Sequence, residues 1–256
     1  MACSPRCYAE ERTGKAGVSD RPPLRYKVPW DLVLGLGPKI QRGERTSIDQ
    51  FTARIVGRLQ PAPEFSGLEN LPACPRFVLA ANHYQRKGLW ILHTAAALTR
   101  PIRERYGPID PPVRWMVTAN WPRIKLGPLE FPSPGDWLLP KVAHTLWCYP
   151  VSFAGSNPAY TARALRAILR DAPQMRCPLG IFPEGVAGTA DKLNPPLPGV
   201  DRLFSLLARA GLPVLPARVS ESGRLIVQFG TLIDTGELVS SSNAAELVMN
   251  RIGDMA

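Results

Sequence analysis

The stretch RFVLAANHYQRKGLWILHTAAAL, residues 76–98, decides the fold class. Its first part, RFVLAANH, is a short apolar run that leaves the core at Asn82 and His83, which predicts a buried strand over 76–83. GLWILHTAAAL, residues 88–98, is apolar on almost every side and predicts a buried helix directly after the histidine loop. A strand followed by a helix is the unit from which α/β proteins are built.

The same alternation continues along the chain. Strands are predicted for TLWCYPVSF (145–153), LGIFPEG (179–185) and LPVLPARV (212–219), with helices at 159–172 and 199–211 between them. This pattern predicts an α/β sheet with helices packed on its faces. Because sites in open α/β sheets lie outside the strand ends, we expect a site near His83 and Glu184, which are both placed at such ends.

Four segments are predicted from composition and periodicity. They are a flexible tail (1–24), a basic amphipathic N-terminal arm (25–63), the main domain (64–235) and a C-terminal helix (236–256) that follows a capping pattern of Asn243 and Glu246. The arm contains IDQFTARIVGRL (48–59), which has apolar residues at helical spacing. This face could lie on a membrane interface or pack on the protein's own core, and the second arrangement is the more common one.

The region 108–140 is unusually rich in proline. It contains eight prolines, a density that predicts loops rather than long regular elements. Long structured loops in compact domains often serve as lids or binding loops, so we expect this region to cover or border a site.

The charge balance predicts an anionic partner. The chain has 256 residues with 31 Lys and Arg against 21 Asp and Glu, a formal net charge of +10. Phospholipid headgroups, nucleic acid and phosphorylated small molecules all fit this charge. The five cysteines are odd in number and lack metal-ligand spacing, which favours reduced thiols in the cytosol. No signal-peptide core and no apolar run of about 18 residues is present, so no transmembrane helix is predicted.

Several enzyme classes are excluded by missing motifs. The chain has no G-x-S-x-G elbow, no Walker-type phosphate loop and no H-E-x-x-H, and GLGPKI (35–40) lacks the third glycine of a dinucleotide fingerprint. Of the three histidines, His83 alone stands at a predicted strand end among polar side chains. A histidine there can act as a general base, although a lone loop histidine is more often structural.

Four blocks of sequence, taken in order, resemble the glycerolipid acyltransferase superfamily, the family of bacterial lysophosphatidate acyltransferases. The blocks are FSGLENLPACPRFVLAANH, YPVSF, LGIFPEG and PLPGVDRLFSLLARAGLPVLPARV. The most specific matches are Asn82-His83, the FPEG block at 182–185 and LPVLP at 212–216. The resemblance covers roughly residues 64–230, which makes the predicted main domain acyltransferase-like.

The resemblance implies a central mixed, largely parallel sheet flanked by helices, in a single domain that carries the N-terminal amphipathic arm. It also implies an enzyme that moves a fatty acyl group from an acyl-CoA or acyl-carrier-protein thioester to the hydroxyl of a glycerophospholipid precursor or another lipid alcohol. His83 would remove the hydroxyl proton, and Glu184 with its neighbours would hold the acceptor. A thioester is already activated, so one positioned base with stabilisation of the oxyanion can suffice.

The site prediction that follows has two catalytic and six substrate-binding residues. The catalytic residues are His83 and Glu184, and the substrate-binding residues are Asn82, Arg86, Lys87, Phe182, Pro183 and Gly185. No cofactor or metal is expected, because the acyl donor is a substrate. The expected partners are acyl-CoA or acyl-carrier protein and a membrane surface with anionic phospholipids, not nucleic acid, with the protein cytoplasmic and bound to the inner face of the membrane.

The sequence departs from the family pattern at Gly88, where the pattern places an aspartate five residues after the histidine. No acidic residue lies between His83 and Glu104. In hydrolase triads, loss of this carboxylate costs roughly 10⁴ in rate, or about 5 kcal/mol. The candidates for a replacement are Glu184, Asp110, Asp136 and Asp191.

Two cations expected near an acceptor phosphate are also replaced. The pattern's arginine after YPVS is Phe153, and its Thr-Arg pair after the Pro-Glu-Gly turn is Val186-Ala187. Arg86 and Lys87 could supply phosphate contacts from another side, or could simply be exposed cations. Cations this close would lower the pKa of His83 and keep it able to accept a proton.

Three functions therefore stay open at the level of sequence. The first is an active acyltransferase with a remodelled dyad. The second is a catalytically silent relative that binds lipids or acyl chains. The third is an unrelated basic α/β protein that binds nucleic acid, which is disfavoured because the aromatic residues are not interleaved with cations and no nucleic-acid motif is present.

Overall fold

The computed structural model describes residues 26–27, 29–119, 124–126, 129–131, 135–152, 158–188 and 192–255. The predicted tail over 1–24, together with Phe153 and Asp191, lies outside these residues.

Seven strands of the described chain form one sheet. They are β1 (Glu64–Ser66), β2 (Val78–Ala81), β3 (Arg114–Thr118), β6 (Tyr149–Val151), β7 (Leu179–Ile181), β8 (Val214–Glu221) and β9 (Leu225–Phe229), while β4 (Ile124–Leu126) and β5 (Leu129–Phe131) form a separate antiparallel pair. The order across the sheet is β1-β9-β8-β2-β7-β3-β6, and every neighbouring pair is parallel except β8 with β9. The prediction of a mixed, largely parallel sheet is confirmed.

The described residues also form nine α-helices. They are α1 (Trp30–Leu34), α2 (Gly37–Arg42), α3 (Ile48–Val56), α4 (Ile91–Tyr106), α5 (Gly135–Thr145), α6 (Ala159–Asp171), α7 (Val200–Arg209), α8 (Thr235–Ser240) and α9 (Ala244–Gly253). Two 3₁₀ turns lie at Leu68–Asn70 and Ala172–Gln174. None of these helices combines the length and the apolar composition that are needed to cross a membrane.

Helices cover both faces of the sheet. The apolar sides of α6, α7 and α9 share one core cluster with Val78 and Ala80 of β2, whereas α4 packs with Leu79 and Ala81 on the opposite face. Because both faces are covered, β2 is apolar at every position instead of alternating, and all four of its residues are buried. This explains the continuous apolar run that predicts the strand.

The register of the central strands aligns their carboxyl ends. Val78 of β2 pairs with Leu179 of β7 on one side and with Val214 of β8 on the other. The three strands are parallel, so the segments that follow them leave the sheet at the same edge. These segments include His83 and Glu184, and they define the region where a site is expected.

The N-terminal helices pack on the domain. Phe51, Ile55 and Val56 of α3 form a core cluster with Ala96 of α4, and Ile55 is 1% exposed. Of the two arrangements open to this amphipathic helix, the structure therefore has its apolar face on the protein's own core.

Two segments differ from the elements predicted for them. In the predicted strand 145–153 only Tyr149–Val151 is a strand, because Thr145 ends α5 and Trp147 has a left-handed backbone with φ 57. The proline-rich region 108–140 contains β3, β4, β5 and the first half of α5, although Pro140 cannot donate a helix hydrogen bond.

The C-terminal segment 236–256, predicted as one helix, holds most of α8 and all of α9. Asn243 precedes α9, and its side chain accepts a hydrogen bond from the Glu246 main-chain nitrogen at 3.1 Å. The guanidinium of Arg218 on β8 donates to the carbonyl oxygens of Ile252 and Gly253 at the end of this helix. A cation at a helix C-terminus satisfies carbonyl groups that have no partner within the helix.

Candidate active site

Two loops run side by side at the carboxyl edge of the sheet. The main-chain nitrogen of His83, just beyond β2, donates to Oε1 of Glu184, just beyond β7, at 2.7 Å. In return, the main-chain nitrogen of Gly188 donates to the carbonyl oxygen of His83 at 2.9 Å. The structure thus brings together the two residues that the sequence predicts as catalytic, although they lie 101 positions apart.

Glu184 binds main-chain groups with both of its carboxylate oxygens. Its Oε2 accepts a hydrogen bond from the Asn194 main-chain nitrogen at 2.6 Å, and the residue is 1% exposed. A Cβ at Gly188 would lie only 2.7 Å from this oxygen, so a glycine there lets the loop pass close to the carboxylate. Glu184 therefore holds the His83 loop and the segment at Asn194 in place, and it contacts the backbone of His83 rather than its imidazole.

The imidazole of His83 has no carboxylate partner among the described residues. Its Nδ1 is buried and makes no hydrogen bond to them. Burial lowers the pKa of His83, and the residue's own main-chain carbonyl opposes this shift only in part. The ring is therefore neutral at pH 7 and able to accept a proton, as a general base must be.

An aromatic ring contacts the imidazole, and a second aromatic ring stacks on the first. Phe182, at the end of β7, meets the His83 ring edge to face, with centroids 5.1 Å apart and an interplanar angle of 69°. Phe182 also stacks on the indole of Trp115 from β3, at 4.8 Å and 10°. Phe182 thus contacts the predicted base itself, whereas the sequence predicts it only as a substrate-binding residue.

Asn82 joins the end of β2 to β8. Its Nδ2 donates to the Val219 carbonyl oxygen at 2.9 Å, and its Oδ1 accepts from the Val219 main-chain nitrogen at 2.7 Å. The side chain is buried, and both ends of its amide are occupied by the neighbouring strand. It fixes the point where the His83 loop leaves the sheet.

Arg86 forms an ion pair with Glu221, the last residue of β8. Its Nε and Nη2 both donate to Glu221, with Nε 2.7 Å from Oε2, and the Tyr84 hydroxyl donates to the same Oε2 at 3.0 Å. Burial and the negative charge of Glu221 raise the pKa of Tyr84 to about 12, so it remains a donor. The guanidinium is thereby neutralised, while Lys87 is exposed and makes no ion pair with a described residue.

Gly88 occupies the third position of a tight turn. The carbonyl oxygen of Arg86 accepts from the Leu89 nitrogen at 2.9 Å, and Gly88 has φ +84, as the third residue of a type II turn requires. Its carbonyl oxygen also accepts from the Tyr26 nitrogen at 2.8 Å. The position where the family pattern has an aspartate is therefore one that favours glycine in this chain.

The turn after β7 is built in a similar way. Gly185 has φ +61 and donates its N–H to the Phe182 carbonyl oxygen at 3.0 Å, and a Cβ there would lie 2.0 Å from Leu197. Pro183 is buried, and its carbonyl oxygen accepts from the Leu197 nitrogen at 2.9 Å. Both residues shape the loop that carries Glu184.

The carboxylates considered as replacements for the lost aspartate do not bind the His83 ring within the described part of the chain. Asp110 accepts a hydrogen bond from the Ile48 main-chain nitrogen at 2.9 Å. Asp136 has a buried Oδ1 without a described partner, and Asp191 lies outside the described residues.

His93, the second histidine near this region, belongs to the start of α4. Its Nδ1 accepts a hydrogen bond from the Trp90 main-chain nitrogen at 3.0 Å, so its Nε2 carries the proton and faces the Lys27 carbonyl oxygen at 3.3 Å. Burial lowers the pKa of His93 as well. His93 thus supports the start of the helix. Its neighbour Thr94 donates its hydroxyl to the Tyr84 carbonyl oxygen and joins the helix to the His83 loop.

Four residues of the site are not found by the sequence analysis: Trp115, Gly188, Asn194 and Glu221. Gly188 and Asn194 lie near the FPEG block in the sequence. Gly188 lies three residues after Gly185, and this spacing is a signal that could have identified it as part of the site. Trp115 and Glu221 reach the site only through the strand order, which the sequence alone does not give.

Comparison of the sequence with models of protein families and with curated proteins gives no match. Among solved structures, the chain is similar to the crystal structure of the 1-acyl-sn-glycerophosphate (LPA) acyltransferase, PlsC, from Thermotoga maritima. The TM-score is 0.52 with 16% sequence identity, and the match covers 88% of each chain. The fold implied by the sequence resemblance is thus confirmed: the chain has the fold seen in this acyltransferase.

Proposed function

We propose that the protein transfers a fatty acyl group from a thioester donor to a hydroxyl group of a lipid. The observation that carries the proposal is the partly buried, neutral imidazole of His83 just beyond β2, fixed through its backbone by Glu184 just beyond β7. The proposal is supported by the order of the sequence blocks and by a fold shared with an acyltransferase whose acceptor is an acylglycerophosphate.

The proposed reaction uses one nitrogen of the imidazole. Nδ1 is buried, which leaves Nε2 to face a substrate. As the acceptor oxygen attacks the thioester carbonyl, Nε2 takes the hydroxyl proton and a tetrahedral oxyanion forms. Collapse of this intermediate breaks the carbon–sulfur bond, and the imidazolium returns the proton to the leaving thiolate. An ester and a free thiol result.

The donor is proposed to be acyl-CoA or acyl-carrier protein, and the acceptor a glycerophospholipid precursor or another lipid alcohol. Lys87 is the exposed cation of the catalytic loop, whereas Arg86 is held by Glu221. We therefore assign contact with an anionic headgroup to Lys87 and a structural role to Arg86. The two neighbouring cations thus have different proposed roles, although the sequence alone does not distinguish them.

A membrane surface is the proposed setting of the reaction. Trp30 and Leu34 lie one helical turn apart on α1 and are 55% and 70% exposed. The Trp30 ring meets Trp90, the residue that precedes α4 and closely follows the catalytic loop, at 5.3 Å. Exposed aromatic and aliphatic side chains of this kind suit the boundary between headgroups and acyl chains, with the inner face of the cytoplasmic membrane as the expected location.

The central test is acyl transfer by the purified protein. Long-chain acyl-CoA and acyl-carrier-protein donors are offered with lysophosphatidate, and the ester product and free thiol are both measured. His83→Ala is expected to abolish transfer, while His144→Ala, which changes a histidine of α5, keeps it. An unchanged rate in His83→Ala would show that this imidazole is not the base.

A catalytically silent, lipid-binding protein is the second candidate. It is favoured by the missing carboxylate at Nδ1 of His83 within the described residues. A silent protein would bind radiolabelled lysophosphatidate or acyl-CoA while releasing no thiol above the rate of His83→Ala. Thiol release that requires both the acceptor and His83 would show that the protein is an enzyme and not a silent lipid-binding protein.

A further inference from the structure

We propose that the His83 imidazole is oriented by an aromatic column, formed by His83, Phe182 and Trp115 on the bare backbone of Gly180, and that Trp115 is a positioning residue. This inference rests on the proposed function, in which His83 is the base. In the resembling family an aspartate is expected to orient the histidine, and here that position is the turn glycine Gly88. The column supplies orientation from a different side.

The upper part of the column is in direct contact with the base. His83 and Phe182 meet edge to face at 5.1 Å, and Phe182 and Trp115 lie nearly parallel at 4.8 Å. Both geometries are the favoured ones for aromatic pairs and restrict rotation of the rings. Since Nδ1 of His83 has no hydrogen-bond partner among the described residues, we assign the setting of the imidazole plane to its contact with Phe182, which Trp115 supports.

The lower part of the column is rigid. Trp115 is buried on β3, and its Nε1 lies 3.4 Å from the Thr99 hydroxyl, which itself donates to the Ala95 carbonyl oxygen in α4 at 2.7 Å. A Cβ at Gly180 in β7 would lie 2.3 Å from Cε3 of Trp115. Glycine is unfavourable inside a strand, so this one is explained by the indole that lies against it.

Packing can replace only one of the two tasks of a dyad carboxylate. It holds the ring in place, but it offers no negative charge to an imidazolium. A loss of the column is therefore expected to act on kcat, because a small displacement of the base from the reacting hydroxyl costs up to about 10²-fold in rate. Substrate binding is expected to change little, since Trp115 is buried beneath Phe182.

The first experiment records the imidazole resonances by NMR and needs no activity. The chain has three histidines, so signals are assigned with His93→Gln and His144→Gln. In the parent protein the His83 ring protons are expected to be displaced by the ring current of Phe182. Trp115→Leu is expected to move them toward the values of a free histidine, whereas the His144 signals stay fixed. Trp137→Leu, which changes a 61% exposed tryptophan on α5, is the matched control.

The second experiment compares steady-state kinetics of the same variants. Trp115→Leu is expected to lower kcat at least tenfold with KM within about twofold, Trp115→Phe to recover most of kcat because a ring remains on Phe182, and Trp137→Leu to match the parent. Gly180→Ala, which pushes the indole from below, is expected to shift the same His83 resonances.

The inference is overturned if Trp115→Leu and Phe182→Leu leave the His83 resonances and kcat unchanged. It is also overturned if both variants raise KM and leave kcat unaltered. If Trp115→Leu does not fold, Phe182→Leu and Gly180→Ala carry the test by themselves. A parent protein without transfer activity would contradict the proposed function, and the NMR displacements would still decide whether the column orients the ring.

Discussion

At the scale of single residues, the partly buried imidazole of His83 is the group with the most specific consequences. Its pKa lies below the ordinary value of 6.5 because burial disfavours the charged ring, and no carboxylate in the described residues counters this. A neutral base is thus available at neutral pH, but the imidazolium formed during proton transfer gains little stabilisation. We expect a slow enzyme that works over a wide range of neutral pH.

The pH dependence of activity follows from this shift. A base works only when unprotonated, so kcat/KM is expected to be constant at neutral pH and to fall on acidification with a midpoint below 6.5. The folded-state pKa of His83 is depressed, so its contribution to stability is complete above about pH 6.5 and declines below it. Unfolding by urea, measured at each pH, separates the two effects. A midpoint above 6.5 would contradict the assignment.

Gly88→Asp is expected to harm the protein even though it introduces the aspartate that the acyltransferase pattern has at this position. The backbone at Gly88 has φ +84, which costs an L residue about 1–2 kcal/mol, and the turn belongs to the His83 loop. We expect a loss of stability of that size and no gain in transfer rate. Gly88→Ala is the control, because it has the same backbone strain without a carboxylate. A rate in Gly88→Asp well above that of Gly88→Ala would show that an added carboxylate can reach the imidazole.

Part of the site can be predicted from single residues of the sequence. Asn82, His83 and Glu184 come together as the blocks of sequence suggest, because they follow strands that are parallel neighbours. Their contacts cannot be predicted from the sequence: Glu184 binds main-chain N–H groups, and Arg86 binds a glutamate 135 positions away. Such partners depend on strand order and loop path, which residue type and spacing do not encode.

At the scale of elements, the strongest predictions come from segments with unbroken apolar patterns. β2, β7, α6 and α7 all lie within the stretches that predict them, whereas α4 and β8 begin within theirs and continue to Tyr106 and Glu221. β1 and β9 are missed, since β1 has only three residues and is half exposed at the sheet edge, and β9 follows β8 after a short hairpin. An apolar run such as TLWCYPV cannot be divided between helix and strand by periodicity alone.

The packing of α3 on α4 can be tested by its effect on stability. Ile55 is fully buried in that contact, so Ile55→Ala is expected to lower the free energy of unfolding by about 2–5 kcal/mol. Arg54→Ala, on the exposed side of the same helix, is expected to change it by less than about 0.5 kcal/mol. Urea denaturation in the absence of lipid gives both values. Equal effects of the two substitutions would mean that α3 does not pack on the domain in solution.

At the scale of the whole molecule, charge and exposed apolar side chains point to the same kind of partner. The net charge of +10 favours anionic surfaces in general, and the exposed side chains of Trp30 and Leu34 favour a lipid surface over a nucleic acid. The charge alone is compatible with both.

Binding to lipid vesicles tests this preference. The protein is expected to sediment with vesicles that contain phosphatidylglycerol, and to do so less as sodium chloride is raised, because salt screens the attraction. Trp30→Ala combined with Leu34→Ala should weaken binding at least several-fold, whereas Trp137→Ala, an exposed tryptophan of another helix, serves as the matched control. Equal binding by both proteins would place the contact surface elsewhere.

The loop around His83 is held by bonds between residues that are far apart in the chain. Glu184 lies 101 positions from His83. Val219 lies 137 positions from its partner Asn82, and Glu221 lies 137 positions from its partner Tyr84. Contacts of such long range form slowly, because closing the long intervening loop costs chain entropy before the contact can compensate for it. The site therefore cannot arise in a partly folded chain that lacks β8. When the denatured protein is refolded, the His83 environment is expected to return in the last kinetic phase, together with the complete sheet.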